Sequence, residues 1–140
     1  MNVKVHELMT ESVVTAQPHM SVEHVRGLFE NNQISSVPVV DSDDRPVGVI
    51  STTDLAQDLK SGTPINKLMS TKVLSVPKYD DVHIAARVMR NHHIHHVVVT
   101  HEQAVVGVLS AFDLLKLVED HRYVAKNPPT PSKRKKSRKT

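Results

Sequence analysis

Hydrophobic and polar residues alternate along this chain in a pattern that is written twice. In the first half, Val22, Val25, Leu28 and Phe29 recur at helical spacing behind Ser21, a residue suited to cap a helix N-terminus. Val37 to Val40 is a β-branched run, Asp41 to Pro46 a polar turn, and Val47 to Ile50 a second apolar run, which together predict a hairpin. Before them, Val5 to Met9 predicts a short amphipathic turn of helix, and Val13 to Thr15 a brief strand closed by Gln17-Pro18. Thr52 to Leu59 is expected to complete the unit as a second helix. The second half keeps the same order. Ile65 to Met69 and Val73 to Ser75 precede a helix from about Asp81 that carries Val82, Ala85, Ala86 and Met89. Strands from Val97 to Thr100 and Ala104 to Leu109 follow, then a helix to about His121.

Displacing the sequence by 60 residues lays Leu8-Met9 on Leu68-Met69, Val13 on Val73, Val22 on Val82, Asn31 on Asn91, Ile34 on Ile94, and Val37 and Val39 on Val97 and Val99. After a one-residue deletion in the turn, the offset of 59 lays Val47-Gly48-Val49 on Val106-Gly107-Val108, Ser51 on Ser110 and Asp54-Leu55 on Asp113-Leu114. This internal repeat is the strongest signal in the chain. A unit of about 60 residues buries too little surface to be comfortable alone, so two units covering each other's apolar faces are expected. The predicted fold class is α+β: two β-α-β-β-α repeats, residues 1–62 and 63–123, packed by pseudo-twofold symmetry, with the linker Ser61-Gly62-Thr63-Pro64 between them.

The stretches GVISTTD, from Gly48 to Asp54, and GVLSAFD, from Gly107 to Asp113, carry the candidate chemistry. Each ends a strand, places a serine at the corner, and sets an aspartate three residues later where a helix would begin. Two readings stand side by side. The serine and aspartate can form a capping box. Alternatively the hydroxyl, carboxylate and unsatisfied backbone N–H groups can receive a ligand's phosphate and sugar. Symmetry would carry the two corners to equivalent clefts between the units.

Composition narrows the classes. With no Cys among 140 residues, a disulfide framework, a thiolate metal site and cysteine catalysis are excluded. Aromatics make up only 3% and Trp is absent, so the core is expected to be built of Val, Ile, Leu, Met and Ala. No apolar run approaches the roughly 18 residues that cross a bilayer, and the first ten residues lack a signal-peptide core, which predicts a cytoplasmic protein. The net charge of +3 conceals an asymmetry. From Lys126 onward there are seven Lys/Arg and no acids, while residues 1–125 hold eleven Lys/Arg against all fifteen Asp/Glu, giving −4 for the body. The proline-broken basic tail, residues 124–140, is expected to be disordered. It reads either as a solubilising extension or, through residues 126–140, as a weak contact for nucleic acid or another polyanion, with the globular pair then a dimerisation scaffold.

With these residues in view, the chain from about residue 3 to 121 resembles a tandem pair of CBS (cystathionine β-synthase) domains, the arrangement called a Bateman module. The resemblance rests on both Leu-Met doublets, on ISSVPVV from Ile34 to Val40, on both Gly-x-x-Ser-x-x-Asp stretches and on the helix expected after each. It implies a non-catalytic sensor that binds AMP, ADP, ATP or S-adenosylmethionine between the repeats, needs no cofactor, and signals to an unidentified downstream protein. In one cleft it implies Asp113 at the ribose hydroxyls, Ser110 and the helix N-terminus at the phosphate with His95 and His96 nearby, and Val108, Val14 and Ile34 around the adenine. In the other, Asp54, Ser51, Ser35 and Ser36 take the polar roles, and Val49, Leu74 and Ile94 flank the base. The second unit departs from the family pattern at Val98, where the first has Pro38, and at Phe112, where the first has Thr53. A side chain as bulky as Phe112 would either pack under the base or obstruct the pocket. The resemblance also implies a homodimer of two apposed pairs. The predicted helices after Ser51 and Ser110 leave apolar faces to cover, formed by Leu55 and Leu59 and by Leu114, Leu115 and Val118.

Two other features bear on function. His92-His93-Ile94-His95-His96 lies where a helix gives way to a strand. Alternate histidines on a strand could chelate a metal, but four ligands are usual and no spacing supplies the others, so no metal site is assigned. A solvated turn with phosphate-side donors is the plainer reading, and a related expectation is that these histidines charge at mildly acidic pH and hold a polyphosphate better. No nucleophile–base pairing, Walker loop or GxGxxG occurs, so no enzyme is expected.

Overall fold

The computed structural model describes residues 3–11 and 13–120. The basic tail, and the expected end of the last helix at His121, lie outside them. Helix α1 spans Val5–Leu8, α2 Val22–Asn32, α3 Val82–His92 and α4 Ala111–Asp120, with a 3₁₀ turn at Ile65–Lys67. The strands are β1 Ser36–Val40, β2 Pro46–Ser51, β3 Ser75–Pro77, β4 His96–His101 and β5 Ala104–Ser110.

Helices α2 and α3 form for the reasons their periodicity indicates. Val22, Val25 and Phe29 on one, and Val82, Ala85 and Met89 on the other, bury a single stripe. The Ser21 hydroxyl accepts the His24 N–H at 3.2 Å. Each helix ends in a left-handed residue, Gln33 or His93, both at φ 55°. The next N–H reaches back to the last turn, Ile34 to the Phe29 carbonyl at 3.1 Å and Ile94 to that of Met89 at 3.0 Å. This Schellman closure turns the chain into the next strand and folds each isoleucine against its own core.

β1 and β2 pair antiparallel, as do β4 and β5, with a bulge in each hairpin. β3 adds to β4 in parallel, making a three-stranded sheet. The expected strand over Val13 to Thr15 is reduced to one parallel bridge, Ala16 to Val39. Its counterpart is displaced from Val73–Ser75 to Ser75–Pro77. Pro38 accounts for the difference between the units. In the second unit Val98 donates to the Leu74 carbonyl at 3.1 Å. Pro38, at the equivalent position, has no N–H to give, so the first unit loses that rung.

A larger departure follows β2. The helix expected over Thr52 to Leu59 is absent, and residues 52–55 are turns. Leu55 is drawn into the core at 4% exposure. Its carbonyl, which a helix would use for the N–H four residues on, instead accepts the Arg26 guanidinium at 2.9 Å. The expected Leu55 and Leu59 docking face is therefore not formed: Leu55 is buried and Leu59 packs against the first core. After Ser110 the expected helix does form. On α4, Leu114 turns toward the second core, while Phe112, Leu115 and Val118 are 79%, 56% and 72% exposed.

The two units exchange their opening turns. Val5 is fully buried in the second core, and Ile65 is fully buried in the first. Backbone bonds tie each exchange symmetrically: Val5 N–H to the Asp80 carbonyl and Ile65 N–H to that of Met20, both at 2.9 Å. Thr10 and Val108 exchange a pair of hydrogen bonds at 2.9 and 3.1 Å, and Ser70 and Val49 do the same at 3.0 and 2.9 Å. A 2.6 Å ion pair from Lys4 to Asp81 closes the second unit's side. The Asp81 partnership holds the Lys4 amine above its ordinary value, and the Lys4 hydrogen bond holds the Asp81 carboxyl below its own.

Candidate functional site

The strand-to-helix corners are built as their spacing indicates. At the first, Asp54 Oδ2 accepts the Ser51 N–H at 2.9 Å and the Ser51 hydroxyl at 3.1 Å. At the second, Asp113 Oδ2 accepts the Ser110 N–H at 2.9 Å, and the Ser110 hydroxyl accepts the Asp113 N–H at 3.0 Å. These are reciprocal capping boxes. The box does not exhaust the carboxylate, because Oδ1 of each aspartate makes no hydrogen bond among the described residues and retains its lone pairs. Only the second corner opens a helix. The first lies on turns, so a helix N-terminus is available at Ser110 and not at Ser51.

Both corners line one continuous cavity of about 1060 Å³. Its walls include every residue assigned from the sequence: Asp113, Ser110, Val108, His95, His96, Val14 and Ile34, assigned to one cleft, and Asp54, Ser51, Val49, Ser35, Ser36, Leu74 and Ile94, assigned to the other. The two expected clefts thus run into a single space between the units. Phe112 takes neither expected role, since it is not on the cavity wall and points to solvent. Pro38 and Val98 occupy equivalent wall positions.

Sequence reasoning passes over Thr10, Ser70 and Lys72, which also line the cavity. For the first two a signal is available, because a hydroxyl residue follows each Leu-Met doublet. Their backbones pair with Val108 and Val49, and this carries the hydroxyl residues to the cavity wall. Nothing in the pattern marks Lys72, which adds a fixed positive charge.

Partial burial is the largest influence on His96 and holds its imidazole below the ordinary value; His95 adds to the depression, and the Asp113 carboxylate opposes it. Among the described residues, no group of three or more His, Cys, Asp or Glu is arranged to hold a metal ion, and no helix is long and apolar enough to cross a membrane. The site can surround a planar apolar group with aliphatic side chains, accept hydrogen bonds at two carboxylates, and meet an anion with imidazoles, Lys72 and the start of α4.

Known proteins share this architecture. Inosine-5'-monophosphate dehydrogenase of Halobacterium salinarum is 34% identical over 109 residues, 76% of this chain and 22% of that protein. The chain spans well under half the length of the first curated relatives it matches, between 22% and 40%. The solved structure of the CBS domain protein PAE2072 from Pyrobaculum aerophilum, complexed with AMP, superposes with a TM-score of 0.73 at 30% identity, covering 84% of this chain and 99% of that one. The CBS domain pair of protein MJ0100, in complex with 5'-methylthioadenosine and S-adenosyl-L-methionine, gives a TM-score of 0.74 at 25% identity, covering 83% and 99%. The CBS-domain signature occurs twice, over residues 5–61 and 65–120, and the chain belongs to the CBS-domain family.

Proposed function

We propose that this chain is a non-catalytic sensor that binds an adenine nucleotide, or a related adenosyl ligand, in the cavity between its repeats and passes the bound state to a partner protein. One observation carries the reading: two Ser-x-x-Asp corners and their aliphatic neighbours, assigned from sequence alone, converge on one cavity. The AMP complex of the 30% identical relative and the S-adenosylmethionine complex of the 25% identical one support an adenosyl ligand. Asp113 and Asp54 accept the ribose hydroxyls through their remaining oxygens. Val108, Val14 and Ile34 enclose one adenine position, and Val49, Leu74 and Ile94 the other. Signalling follows from differential affinity: a ligand that fits one arrangement of the two units better shifts the population toward it.

A homodimer fits the same reading, with a second copy covering Phe112, Leu115 and Val118 on α4. This contact differs from the symmetric disc that the resemblance implies, because the first unit supplies no equivalent helix.

Thermal unfolding of the full chain with millimolar AMP, ADP, ATP and S-adenosylmethionine tests the proposal. A ligand at about 100 times its Kd stabilises by about 2.7 kcal/mol, a shift of several degrees for a domain of this size. Loss of that shift in Asp113→Ala or Asp54→Ala identifies the working corner. No shift with any of the four overturns the sensor reading. Sedimentation velocity on the same samples reads the dimer, and a monomer at tens of micromolar overturns that part.

A further inference from the structure

The two ends of the cavity share one backbone design and carry different chemistry. Residues 32–36 and 92–96 leave equivalent helices, turn through left-handed residues at the same φ, and enter strands in the same register. Ser36 faces Ser51 across the first hairpin, and His96 faces Ser110 across the second. The Thr52 N–H donates to the Ser35 carbonyl at 2.9 Å, and the Ala111 N–H to the His95 carbonyl at 2.7 Å. At each polar position the first loop has an amide or hydroxyl side chain (Asn32, Gln33, Ser35, Ser36) and the second an imidazole. One imidazole is engaged structurally, since His92 Nδ1–H donates to the Val88 carbonyl at 3.0 Å, as the Asn32 amide does to Leu28 at 2.9 Å. His95 and His96 lie on the cavity wall beside the Ser110–Asp113 corner with no such engagement among the described residues.

We propose that His95 and His96 form a proton-dependent anion subsite at the Asp113 end of the cavity, which selects a ligand bearing a chain of phosphates over one with a single phosphate. The Ser35–Ser36 end then holds its ligand independently of pH. This rests on the adenylate reading above and adds to it a division of labour between the ends.

The charges around the imidazoles are consistent with this. Asp113, from α4, favours the imidazolium, and His93 shares the loop. Lys72 stands on the wall as a permanent cation; its N–H is held to the Ser70 hydroxyl at 3.3 Å, and Ser70 pairs with Val49, which puts it on the Asp54 side with that carboxylate. Partial burial and the adjacent imidazole keep His96 neutral near pH 7. A phosphate chain brings enough negative charge to reverse that balance, so ligand and proton bind together. Serine hydroxyls donate hydrogen bonds without gaining charge, so the other end has no such linkage.

Isothermal titration of the full chain with ATP, AMP and inorganic tripolyphosphate, at pH 8 and pH 6 in buffers of different ionisation enthalpy, tests this. ATP and tripolyphosphate are expected to bind about tenfold more tightly at pH 6, with uptake of about one proton, while AMP changes less than about threefold. The double variant His95→Ser/His96→Ser copies the residues that the same backbone carries at the other end. It should lose the pH gain for both phosphate chains, and an unchanged far-ultraviolet circular dichroism spectrum reports an intact fold. The phosphates' own titration is common to both proteins, so the difference between them isolates the imidazoles. ATP and tripolyphosphate binding that is flat between pH 8 and pH 6, a gain that survives the double substitution, or no binding of either ligand overturns the subsite. Tripolyphosphate binding with proton uptake, while AMP does not bind and ATP binds no more tightly than tripolyphosphate, overturns the adenylate reading and upholds the subsite.

Discussion

Gly107 sits so close to Met9 that a β-carbon built on it would stand 2.5 Å from the methionine sulfur and 3.0 Å from the Thr10 carbonyl. Gly48 and Met69 repeat the relationship at 2.6 Å, with the Ser70 carbonyl at 2.9 Å. The glycine of each corner motif and the Leu-Met doublet of the opposite unit are therefore two halves of one contact. Gly107→Ala should destabilise the chain by roughly 1–3 kcal/mol, the usual range for overpacking. Adding Met9→Ala should recover part of that and not all, because the Thr10 carbonyl stays in place. Urea unfolding measures both, and a neutral Gly107→Ala would show that the strands separate freely.

Ile65 belongs to the second repeat by sequence and to the first core by packing. Ile65→Ala should cost about 2–5 kcal/mol, in the range for a fully buried large-to-small change. Circular dichroism and limited proteolysis should report one shared transition at a lower midpoint. A loss below about 1 kcal/mol would mean that the exchanged turn contributes little to the core.

Arg26 holds the first corner in a turn by taking the Leu55 carbonyl. Arg26→Ala should cost about 1–2 kcal/mol, as for a partly buried charge-assisted hydrogen bond. It should also weaken the ligand response that depends on Asp54 while leaving the response that depends on Asp113. The position equivalent to Arg26 in the second unit is Ala86, and there the helix forms. Equal weakening at both ends, in thermal shifts measured on Asp113→Ala and Asp54→Ala backgrounds, would remove the positioning role.

The folded state holds His96 below its ordinary value, so the unfolded chain takes up that proton first as pH falls. The contribution of this group to stability is present above about pH 6.5, the ordinary imidazole value, and is lost as pH falls from there through the folded value. In the absence of ligand, the midpoint should drop between pH 8 and pH 5.5, and His96→Ser should make the drop shallower. An identical drop in both proteins, read by thermal melts in matched ionic strength, would assign the pH response elsewhere.

Most of the fold is legible in the sequence because the repeat can be checked against itself. Val22, Val25 and Phe29 and their partners in α3 keep the spacing that sequence alone provides. The corner residues are legible for the same reason, since a serine and an aspartate recur at one spacing after paired glycines. Symmetry also produces the errors. It extends to Thr52–Leu59 the helix that Ala111–Asp120 adopts, yet Arg26 and the burial of Leu55 are tertiary facts that no local pattern encodes. Pro38 does warn of the shortened strand, as its missing N–H is visible in the sequence. Lys72 leaves no trace, because a lone lysine between a threonine and a valine acquires meaning only when Ser70 is drawn to Val49.

The exchange of opening turns also governs the order in which the chain can be finished as it is synthesised. The first core waits for Ile65, made well after its own strands, and the second core takes up a segment synthesised ahead of the whole first unit. Residues around Val5 must stay unengaged until β5 exists to receive them, since Thr10 pairs with Val108. These are contacts of long sequence separation, which slow folding and link both halves in one closing step. A nick at the Ser61–Pro64 linker would therefore leave two fragments that still complete each other, each carrying the turn that the other lacks.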